Sequence, residues 1–349
     1  MISKCKTNHG EGTHATRKIR FHRRWTRGPR VRGCGLDHRR RRRSHEAGRL
    51  SGAHRVDHRS LRAGRRFRSG RRAWAAAMQK VTGVGFSVEN KPGGGGLAAI
   101  PDFMSRPKDG YTILEQTDGI ITAEAAKQID FTLGEDLIPI CVTQATFSQV
   151  YIRPDEDRYT DWASFVAYAK KNPGQVNLAN IGVEGSMEVV QWGAIEDAAG
   201  INVKQISFDK PAERYASLIG GHTDALFEQP GDVRKYLEGG QMKAILNVLS
   251  SSPDAFKDVP SLNDANIGDV PVLQRVRLFW VHKDVPDERR EYLVKACDVA
   301  FKTDDYQKFN RSKYMHLARS YYGGQDATDL VRGLVDAYVA LYKKIGFSK

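Results

Sequence analysis

The residues best suited to chemistry form a glycine-rich loop, Glu89–Gly96, which ends in Pro92, Gly93, Gly94, Gly95 and Gly96. It follows a short apolar stretch typical of a strand and precedes the periodicity of a helix. Consecutive glycines permit positive φ angles and close backbone approach, so that amide N–H groups can converge on an anion. The loop lacks the GK[ST] of a P-loop and the GxGxxG of a dinucleotide turn. It predicts either an anion site or a tight structural turn.

Patterns typical of catalytic sites are missing from the sequence. The histidines after residue 72 are His222, His282 and His316, and none of them belongs to an HExxH sequence. No GxSxG nucleophile turn occurs. We therefore expect no enzymatic activity, no cofactor and no metal, and we expect surface or packing roles for the three histidines.

The cysteines show no metal-binding or redox spacing. They are Cys5, Cys34, Cys141 and Cys297, and no two of them form a CxxC pair. We expect Cys141 and Cys297 to be separate buried thiols. No apolar stretch approaches the ~18–20 residues of a membrane span, and no export signal is readable in the sequence as it stands.

Charge divides the chain into two unlike parts. Residues 1–72 carry 24 Lys and Arg against four acidic residues, a net charge of +20, whereas residues 73–349 have a net charge of −6. The basic part has few aliphatic residues and no period, which predicts a disordered segment over 1–48 and no independent fold through residue 72. Its run Arg39–Arg43 leaves a second interpretation open, a basic arm that binds nucleic acid or acidic lipid.

Codon arithmetic suggests an origin for the basic part. In GC-rich DNA the Arg codon CGC becomes the Ala codon GCC when it is read one base later, so an arginine run is an out-of-frame alanine run. The same shift applied to Ser51–Arg72 can yield a strand, a Pro-Gly-Gly turn and a helix start. We hypothesise that residues 1–72 are an out-of-frame translation that hides a signal peptide and a first βα unit.

The remaining residues alternate short apolar strands with amphipathic helices, which predicts mostly parallel α/β sheets. Asp161 is predicted to cap a helix over Trp162–Lys171 that ends at Asn172-Pro173-Gly174. The other predicted helices are 73–81, 97–105, 120–127, 187–199, 212–219, 289–301 and 330–345. The predicted strands are 85–89, 112–114, 138–142, 149–152, 176–179, 203–208, 225–227, 244–248 and 278–281.

Four segments in order resemble the substrate-binding receptors of tripartite tricarboxylate transporters, the Bug family, over about residues 73–349. Glu89–Gly96 followed by Asp109–Leu114 resembles "ENKPGAGG … PDGYTLL". Ala179–Ser186 resembles a Gly-x-Gly-Ser loop, and Leu218–Phe227 resembles "LLGGQVDAMF". Val259–Leu262 resembles "VPTL". Each match is weak alone, but their order and spacing are those of the family.

The resemblance implies a two-lobed type II periplasmic binding protein, a Venus flytrap with a ligand cleft at the hinge. It implies that a ligand carboxylate is held by three loops. The first lies in the out-of-frame segment, and the other two correspond here to Thr117 and Asp118, and to Gly182, Val183, Glu184, Gly185 and Ser186. Strand ends that lead into helix N-termini offer free N–H donors and a favourable dipole for a carboxylate, although simple helix caps are the alternative.

Several residues depart from the family pattern. Asp118 and Glu184 place acids near the expected cleft, and Asp118 would repel an anion unless it caps a helix. Lys210 lies in the sequence Phe-Asp-Lys-Pro and Glu228 in the sequence Phe-Glu-Gln. Both sequences differ from the family pattern. These changes suggest a ligand with a donor or cationic part, or one larger than a simple dicarboxylate.

Three further side chains are assigned with an alternative each. Lys210 and Arg214 can supply positive charge to the ligand, but a solvated helix face is the favoured interpretation. Phe147, just before the predicted crossing between lobes, can stack on a ligand ring or pack in the core.

The predicted function is capture of a small di-, tri- or aromatic carboxylate in the periplasm for the membrane components of a tripartite transporter. We expect a monomer that binds no nucleic acid. Lobe one is predicted over 49–151 plus 273–349, and lobe two over 152–272. The rival function is nucleic-acid binding through the arginine-rich arm, and an enzyme using an Asp118/Glu184 acid pair is a more remote alternative.

Overall fold

The computed structural model describes residues 54–58, 65–91, 93–182, 184–208 and 210–347. All of them belong to one compact unit, Leu50–Lys349. The predicted disordered segment over 1–48 lies outside the described residues, as do Pro92, Val183 and Asp209.

The described elements alternate strands and helices, as the sequence predicts. The strands are β1 His54–His58, β2 Phe86–Asn90, β3 Thr112–Thr117, β4 Leu137–Thr146, β5 Gln149–Ile152, β6 Asn177–Asn180, β7 Lys204–Ser207, β8 Ala225–Glu228, β9 Lys243–Asn247, β10 Arg275–His282 and β11 Tyr322–Gly323. The helices are α1 Arg65–Thr82, α2 Ile100–Ser105, α3 Gly119–Ala125, α4 Trp162–Lys171, α5 Met187–Ala199, α6 Pro211–Ile219, α7 Pro230–Glu238, α8 Asp287–Phe301, α9 Asp304–Ser312 and α10 Gln325–Lys344. Short 3₁₀ turns occupy Gly94–Ala99, Asp254–Phe256 and Met315–Leu317.

Two separate sheets organise these strands. The first sheet has the order β11-β4-β10-β3-β1-β2, and the second has the order β7-β6-β8-β5-β9. In the first sheet β1 runs parallel to β2 and β3, whereas β10 runs antiparallel to β3 and β4. In the second, β6 is parallel to β7 and β8, and β5 is antiparallel to β8 and β9. The prediction of mostly parallel sheets is therefore wrong, because antiparallel strands pair in both sheets. Two sheets in one unit are nevertheless the two-lobed α/β architecture that the resemblance implies.

The chain crosses between the sheets at two places. Phe147 and Ser148 alone separate the end of β4 from the start of β5, and the return path runs from the end of β9 to Arg275. The chain therefore leaves and re-enters the first sheet at the same end of its strands, where Thr146 of β4 is the ladder partner of Arg275 of β10.

The absence of predicted elements before residue 73 is wrong for two segments, although neither of them folds independently of the following residues. His54–His58 forms β1 between β2 and β3, and α1 begins at Arg65. The reason is that backbone hydrogen bonds of a sheet are available to any non-proline residue, so a strand without an apolar period can pair between two neighbours. The strand followed by a helix is also the element order that the out-of-frame hypothesis gives for this region.

The prediction of separate thiols is also wrong, because Cys141 and Cys297 form a disulfide. Cys141 lies in β4 and Cys297 in α8, and packing of this helix on the sheet brings their Cα atoms to 6.6 Å, within the range that a disulfide spans. Trp74 of α1 donates its indole N–H to the Cys297 sulfur at 3.4 Å and stacks on Phe279 with ring centroids 3.7 Å apart. The disulfide thus sits in the core beneath α1 and α8.

Helix α4 begins where the sequence predicts. The Asp161 carboxylate accepts a hydrogen bond from the Ser164 backbone N–H at 2.8 Å, and the Ser164 hydroxyl oxygen accepts one from the Asp161 N–H at 3.1 Å. This reciprocal pair is a capping box, which satisfies donors that the first helical turn leaves open.

Asp161→Ala is expected to lower the free energy of unfolding by about 1 kcal/mol, the usual value of a lost N-cap. Hydrogen bonds from Ser164 lower the pKa of Asp161 below its ordinary 3.8. The ionised carboxylate therefore stabilises the fold fully above its ordinary pKa of 3.8. This stabilisation disappears as the pH falls through the lowered pKa of the folded chain. Urea unfolding at pH 7 and pH 3, with exposed Asp157→Ala as the control, measures both effects. Equal midpoints for the two variants at pH 7 would contradict the cap.

Two described helices were not predicted. Helix α7 opens with Pro230-Gly231, a dipeptide that resembles a turn, although proline is favoured at the first positions of a helix. Helix α9 is strongly polar and buries only Tyr306 and Asn310. In the described part of the chain, no helix has both the length and the apolar character needed to cross a bilayer.

Candidate ligand-binding cleft

The first sheet presents polar residues along one edge. Strand β3 ends at Thr117, β4 ends at Thr146, and β10 begins at Arg275. The register pairs Thr117 with Arg277, and it pairs Thr146 with Arg275, which lies two residues away on β10. These two successive pairs mark the carboxyl end of the parallel strand β3, where ligands of open α/β sheets bind.

The second sheet has a matching edge. Strand β6 ends at Asn180 and β8 ends at Glu228, while the antiparallel β5 begins there with Gln149. Gln149 pairs with Glu228 on one side and with Asn247 on the other. All four of these side chains are buried. A buried polar side chain lowers the stability of the folded chain unless it has hydrogen-bond partners. These four buried polar side chains at one sheet edge are therefore a specific feature of the protein.

Contacts across the crossings place the two edges opposite each other. Arg275 of β10 forms ion pairs with Asp118, which follows β3, and with Glu188 in the first turn of α5. The Leu273 N–H donates to the Gln191 side-chain oxygen at 2.6 Å. The Tyr342 hydroxyl of α10 donates to the Gly185 carbonyl at 2.5 Å. The loop after β3 and the loop after β6 therefore meet at one place.

Thr117 and Asp118 are both buried at this meeting point. Asp118 occupies the N-cap position of α3, but its side chain accepts no capping hydrogen bond. Its backbone carbonyl instead accepts from the N–H groups of Ile121 and Thr122 at 2.9 and 3.0 Å. The carboxylate is thus directed toward Arg275 and not toward its own helix.

The Gly182–Ser186 loop makes a tight turn before α5. Gly182 and Gly185 have φ angles of +100° and +82°, which only glycine adopts readily. A Cβ atom at Gly182 would overlap the Ser186 hydroxyl, and one at Gly185 would overlap the Phe347 ring. Ser186 occupies the N-cap position of α5 without a side-chain cap bond, and its hydroxyl oxygen is buried without a hydrogen-bond partner.

The acid that this loop brings inward is not the predicted one. Glu184 is exposed, because the turn at Gly182 and Gly185 carries it to the surface. Glu188, in the first turn of α5, is buried and contacts Arg275. An Asp118/Glu184 acid pair is therefore not formed, and Asp118/Glu188 takes its place.

Glu228 is committed to a buried ion pair. Its carboxylate accepts from Arg214 of α6 and, at 2.6 Å, from the Tyr215 hydroxyl, and it also accepts from the Gln229 N–H at 2.9 Å. The interpretation of Arg214 as part of a solvated face is wrong, because Arg214 is only 2% exposed. Burial opposes the charged form of its guanidinium, yet attraction from Glu228 raises the Arg214 pKa above its usual value.

The two remaining predicted side chains have ordinary surroundings. Lys210 is exposed, and its amine contacts Glu213 at 2.7 Å, as expected for a solvated helix face. Phe147 is fully buried at the crossing between β4 and β5. Its neighbours Thr146 and Ser148 are also buried, and each has a hydroxyl oxygen without a hydrogen-bond partner.

The glycine-rich loop lies beside the end of β3. Gly93 and Gly96 have φ angles of +133° and +109°. The Gln116 side-chain N–H donates to the Gly96 carbonyl at 2.9 Å, which fixes the loop against the strand. The Gly96 carbonyl is thus used in a hydrogen bond within the protein, which favours a tight structural turn over an anion site at that residue.

Sequence reasoning missed Glu188, Gln191 and Arg275. A signal for each was present. Glu188 and Gln191 are polar residues three apart in the mainly apolar first half of α5, which places them on one face. Arg275 and Arg277 alternate in a strand, which places both on one sheet face.

A separate groove of about 600 Å³ lies beside β7 and α6. Its lining includes Ile206, Phe208, Ser217 and His222, and none of the predicted ligand-binding residues. His222 and His316 are exposed, while His282 is largely buried and burial lowers its pKa. Within the described ranges, no three His, Cys, Asp or Glu side chains are placed to hold a metal ion.

Comparisons with known proteins agree with this architecture. A protein encoded in the gbd 5′ region of Cupriavidus necator is 24% identical over 282 residues, which cover 80% of this chain and 83% of that protein. A TctC solute-binding protein from Polaromonas has a TM-score of 0.69 at 24% identity and covers 83% of this chain and 98% of its own. MatC from Rhodopseudomonas palustris, solved with bound malate, has a TM-score of 0.66 at 18% identity, with coverage of 82% and 98%.

The family description "Tripartite tricarboxylate transporter family receptor" matches residues 71–347, which is most of the chain. That span agrees with the four resembling segments, which begin at Glu89 and end at Leu262. The chain therefore belongs to the tripartite tricarboxylate transporter receptor family.

Proposed function

We propose that this protein captures a small organic carboxylate between two lobes outside the cytoplasm and delivers it to the membrane components of a tripartite transporter. It acts by binding alone, as a monomer and without chemical conversion of the ligand. Candidate ligands are di-, tri- and aromatic carboxylates.

The observation that carries this proposal is the meeting of two strand-to-helix loops from different sheets. Helices α3 and α5 begin directly after these loops, and a helix N-terminus carries free N–H donors and a partial positive charge that favour a carboxylate. The unpartnered Ser186 hydroxyl adds a donor there. Solute-binding proteins close around their ligands by hinge motion, and both crossings lie at this place.

The two proposed lobes follow the two sheets. The predicted boundary between residues 151 and 152 falls within β5, which pairs only with strands of the second sheet among the described residues. We therefore place the first crossing at Phe147–Ser148 and the second in the segment that ends at Arg275. Lobe one then comprises the first sheet with α1–α3 and α8–α10, and lobe two comprises the second sheet with α4–α7.

A ligand of the carboxylate class and an extracytoplasmic location have separate support. MatC, which shares the fold, holds malate. The Cys141–Cys297 disulfide fits an oxidising compartment such as the periplasm, because cytosolic proteins usually keep their thiols reduced. The signal peptide that export requires is not readable in the sequence.

Isothermal titration of the full chain against succinate, citrate, benzoate and their homologues tests the proposal. We expect saturable one-to-one binding to at least one of these acids with a Kd in the micromolar range or below. Salt-sensitive binding of DNA or RNA that disappears when residues 1–53 are deleted, together with no carboxylate binding, would favour the arginine-rich arm as the functional element.

Ser186→Ala is expected to weaken carboxylate binding at least about tenfold, because a hydrogen bond to a charged group contributes about 1.5–3 kcal/mol. Its hydroxyl forms no cap bond, so the free energy of unfolding should change by less than about 0.5 kcal/mol. Titration and urea unfolding measure the two quantities, with exposed Ser251→Ala as the control. An unchanged Kd would remove Ser186 from the site.

A further inference from the structure

The end of helix α10 contacts the loop Gly182–Ser186, which we call the ligand loop. Helix α10 belongs to the first proposed lobe, and the ligand loop belongs to the second. The Tyr342 hydroxyl donates to the Gly185 carbonyl at 2.5 Å. A Cβ atom at Gly185 would lie 2.5 Å from the Phe347 ring, so this ring lies directly on the glycine backbone. Two aromatic side chains of one lobe therefore hold a single residue of the other.

A glycine in the left-handed conformation at the end of α10 places these two rings side by side. Gly346 has a φ angle of +68°. Its N–H donates to the Lys343 carbonyl at 3.4 Å, and the Phe347 N–H donates to the Tyr342 carbonyl at 2.9 Å. These are the two hydrogen bonds of a Schellman motif, in which the residue after the glycine often makes an apolar contact with the helix. The ring centroids of Phe347 and Tyr342 are 4.6 Å apart, so the helix end presents them to Gly185 as one surface.

Tyr342 is also fixed within its own lobe. The residue is buried, and its ring centroid lies 5.9 Å from that of Tyr338, one turn earlier in α10. Its hydroxyl forms a side-chain hydrogen bond with Thr122 of α3. Burial raises the pKa of Tyr342 to about 12, so the hydroxyl stays protonated and can donate at neutral pH. Tyr342 thus joins α3, which follows one strand-to-helix loop, to the ligand loop.

The shape of the ligand loop depends on contacts from outside it. Gly182 and Gly185 take positive φ angles, and glycine has more backbone freedom than any other residue. The Ser207 hydroxyl of β7 donates to the Gly182 carbonyl from the second lobe, and Tyr342 donates to the Gly185 carbonyl from the first. Ser186 follows Gly185 directly, and its buried hydroxyl has no hydrogen-bond partner. A displacement of Gly185 therefore moves the Ser186 hydroxyl.

We propose that Tyr342 and Phe347 are positioning residues for ligand binding. They hold Gly185, and with it the Ser186 hydroxyl, in the geometry that receives a carboxylate. They act through the backbone of the ligand loop and not by contact with the ligand. Restraining a binding loop before the ligand arrives lowers the ordering cost of binding. This inference rests on the proposed function and deepens it, because residues of lobe one then determine the part of the site that lobe two supplies.

Hydrogen exchange of the ligand-free chain tests the positioning role without any ligand. The Val190 N–H donates to the Ser186 carbonyl at 3.0 Å, so its exchange rate reports on the end of the ligand loop. Phe347→Ala and Tyr342→Phe are each expected to accelerate exchange at Val190 at least about threefold, because the loop opens locally more often once it loses a restraint.

Two controls separate this local effect from a general loss of stability. The Phe165 N–H of α4 donates to the Asp161 carbonyl at 2.9 Å and should exchange at the wild-type rate in both variants. Val339→Ala removes an exposed apolar side chain from α10 and should leave the exchange of Val190 and Phe165 unchanged. Equal acceleration at the two amides overturns the inference, and so does an unaltered rate at Val190.

Titration with succinate, citrate and benzoate at pH 7 measures the effect on binding. For the acid that the wild-type chain binds most tightly, Phe347→Ala is expected to raise the Kd at least about tenfold. In a Ser186→Ala background the same substitution should raise it about threefold or less, because the hydroxyl that Phe347 positions is gone. A merely structural role predicts the same factor in both backgrounds, so equal factors overturn the inference. Tyr342→Phe keeps the ring and takes the place of Phe347→Ala if that variant fails to fold.

The outcomes distinguish this inference from the proposed function. An unchanged Kd for both Phe347→Ala and Tyr342→Phe, with normal binding by the wild-type chain, overturns the positioning role and leaves carboxylate capture intact. Failure of the wild-type chain to bind any of these acids or their homologues contradicts the proposed function and the inference with it.

Discussion

Arg214→Met is expected to lower the free energy of unfolding by about 3–5 kcal/mol, because it leaves the Glu228 carboxylate buried without its counter-charge. Both side chains are almost completely buried, so water cannot take over the role of the guanidinium. The Tyr215 hydroxyl would remain as a neutral donor to Glu228, and it cannot replace a full charge. Urea unfolding followed by circular dichroism measures the loss.

A double variant separates loss of the pair from loss of packing. Arg214→Met combined with Glu228→Gln removes both charges, and it should recover most of the stability that the single variant loses. Exposed Arg72→Met is the matched control and should change the free energy of unfolding by less than about 0.5 kcal/mol. A loss of under about 1 kcal/mol for Arg214→Met alone would show that the pair is not buried in solution.

Removal of the disulfide is the second large effect. Cys141→Ala with Cys297→Ala is expected to lower the free energy of unfolding by about 2–5 kcal/mol, the usual range for a native disulfide. The two residues are 156 apart in sequence, so the cross-link closes a long loop in the unfolded chain. It also links α8 to β4, the strand that ends at the first crossing between the sheets.

Reducing agent provides the internal control for this prediction. The wild-type chain should unfold at a lower urea concentration when a phosphine reductant is present, whereas the double alanine variant should show the same midpoint with and without it. A wild-type midpoint that does not respond to complete reduction, verified by thiol titration, would contradict a stabilising role for the cross-link.

Local signals in the sequence were sufficient for the helices that begin and end with clear caps. Helix α4 was predicted from the Asp161 cap, and α5 from its apolar run before Gly200, which takes the left-handed conformation that ends a helix. Strand β1 could not be predicted, because its position is determined by the neighbours β2 and β3. Its own residues show no strand period.

The loops of the candidate site were predictable, but the partners of their side chains were not. Asp118 and Ser186 are at the predicted helix starts. The choice between Glu184 and Glu188 depends on the left-handed turns at Gly182 and Gly185, which change the direction of each side chain. Arg275 is more than 80 residues from Glu188 in sequence, so their pairing follows only from the return of the chain to the first sheet.

The Cys141–Cys297 pairing escaped prediction for a similar reason. Nothing in the local sequence of either cysteine indicates that a helix will pack over a strand 156 residues away. The same holds for Arg214 and Glu228, which lie on different elements of the second lobe. A polar residue in an amphipathic helix is usually solvated, and only the tertiary fold shows which one is enclosed.

The two-residue crossing at Phe147 and Ser148 limits how the lobes can move. Thr146 and Gln149 are three residue steps apart, which span at most about 11 Å when fully extended, so the end of β4 and the start of β5 stay close in every state. For the lobes that we propose, we therefore expect a pivoting motion about this point and no sliding of one lobe past the other. A bulky solute is then expected to enter from the side opposite the pivot, and the opening angle between the lobes limits its size.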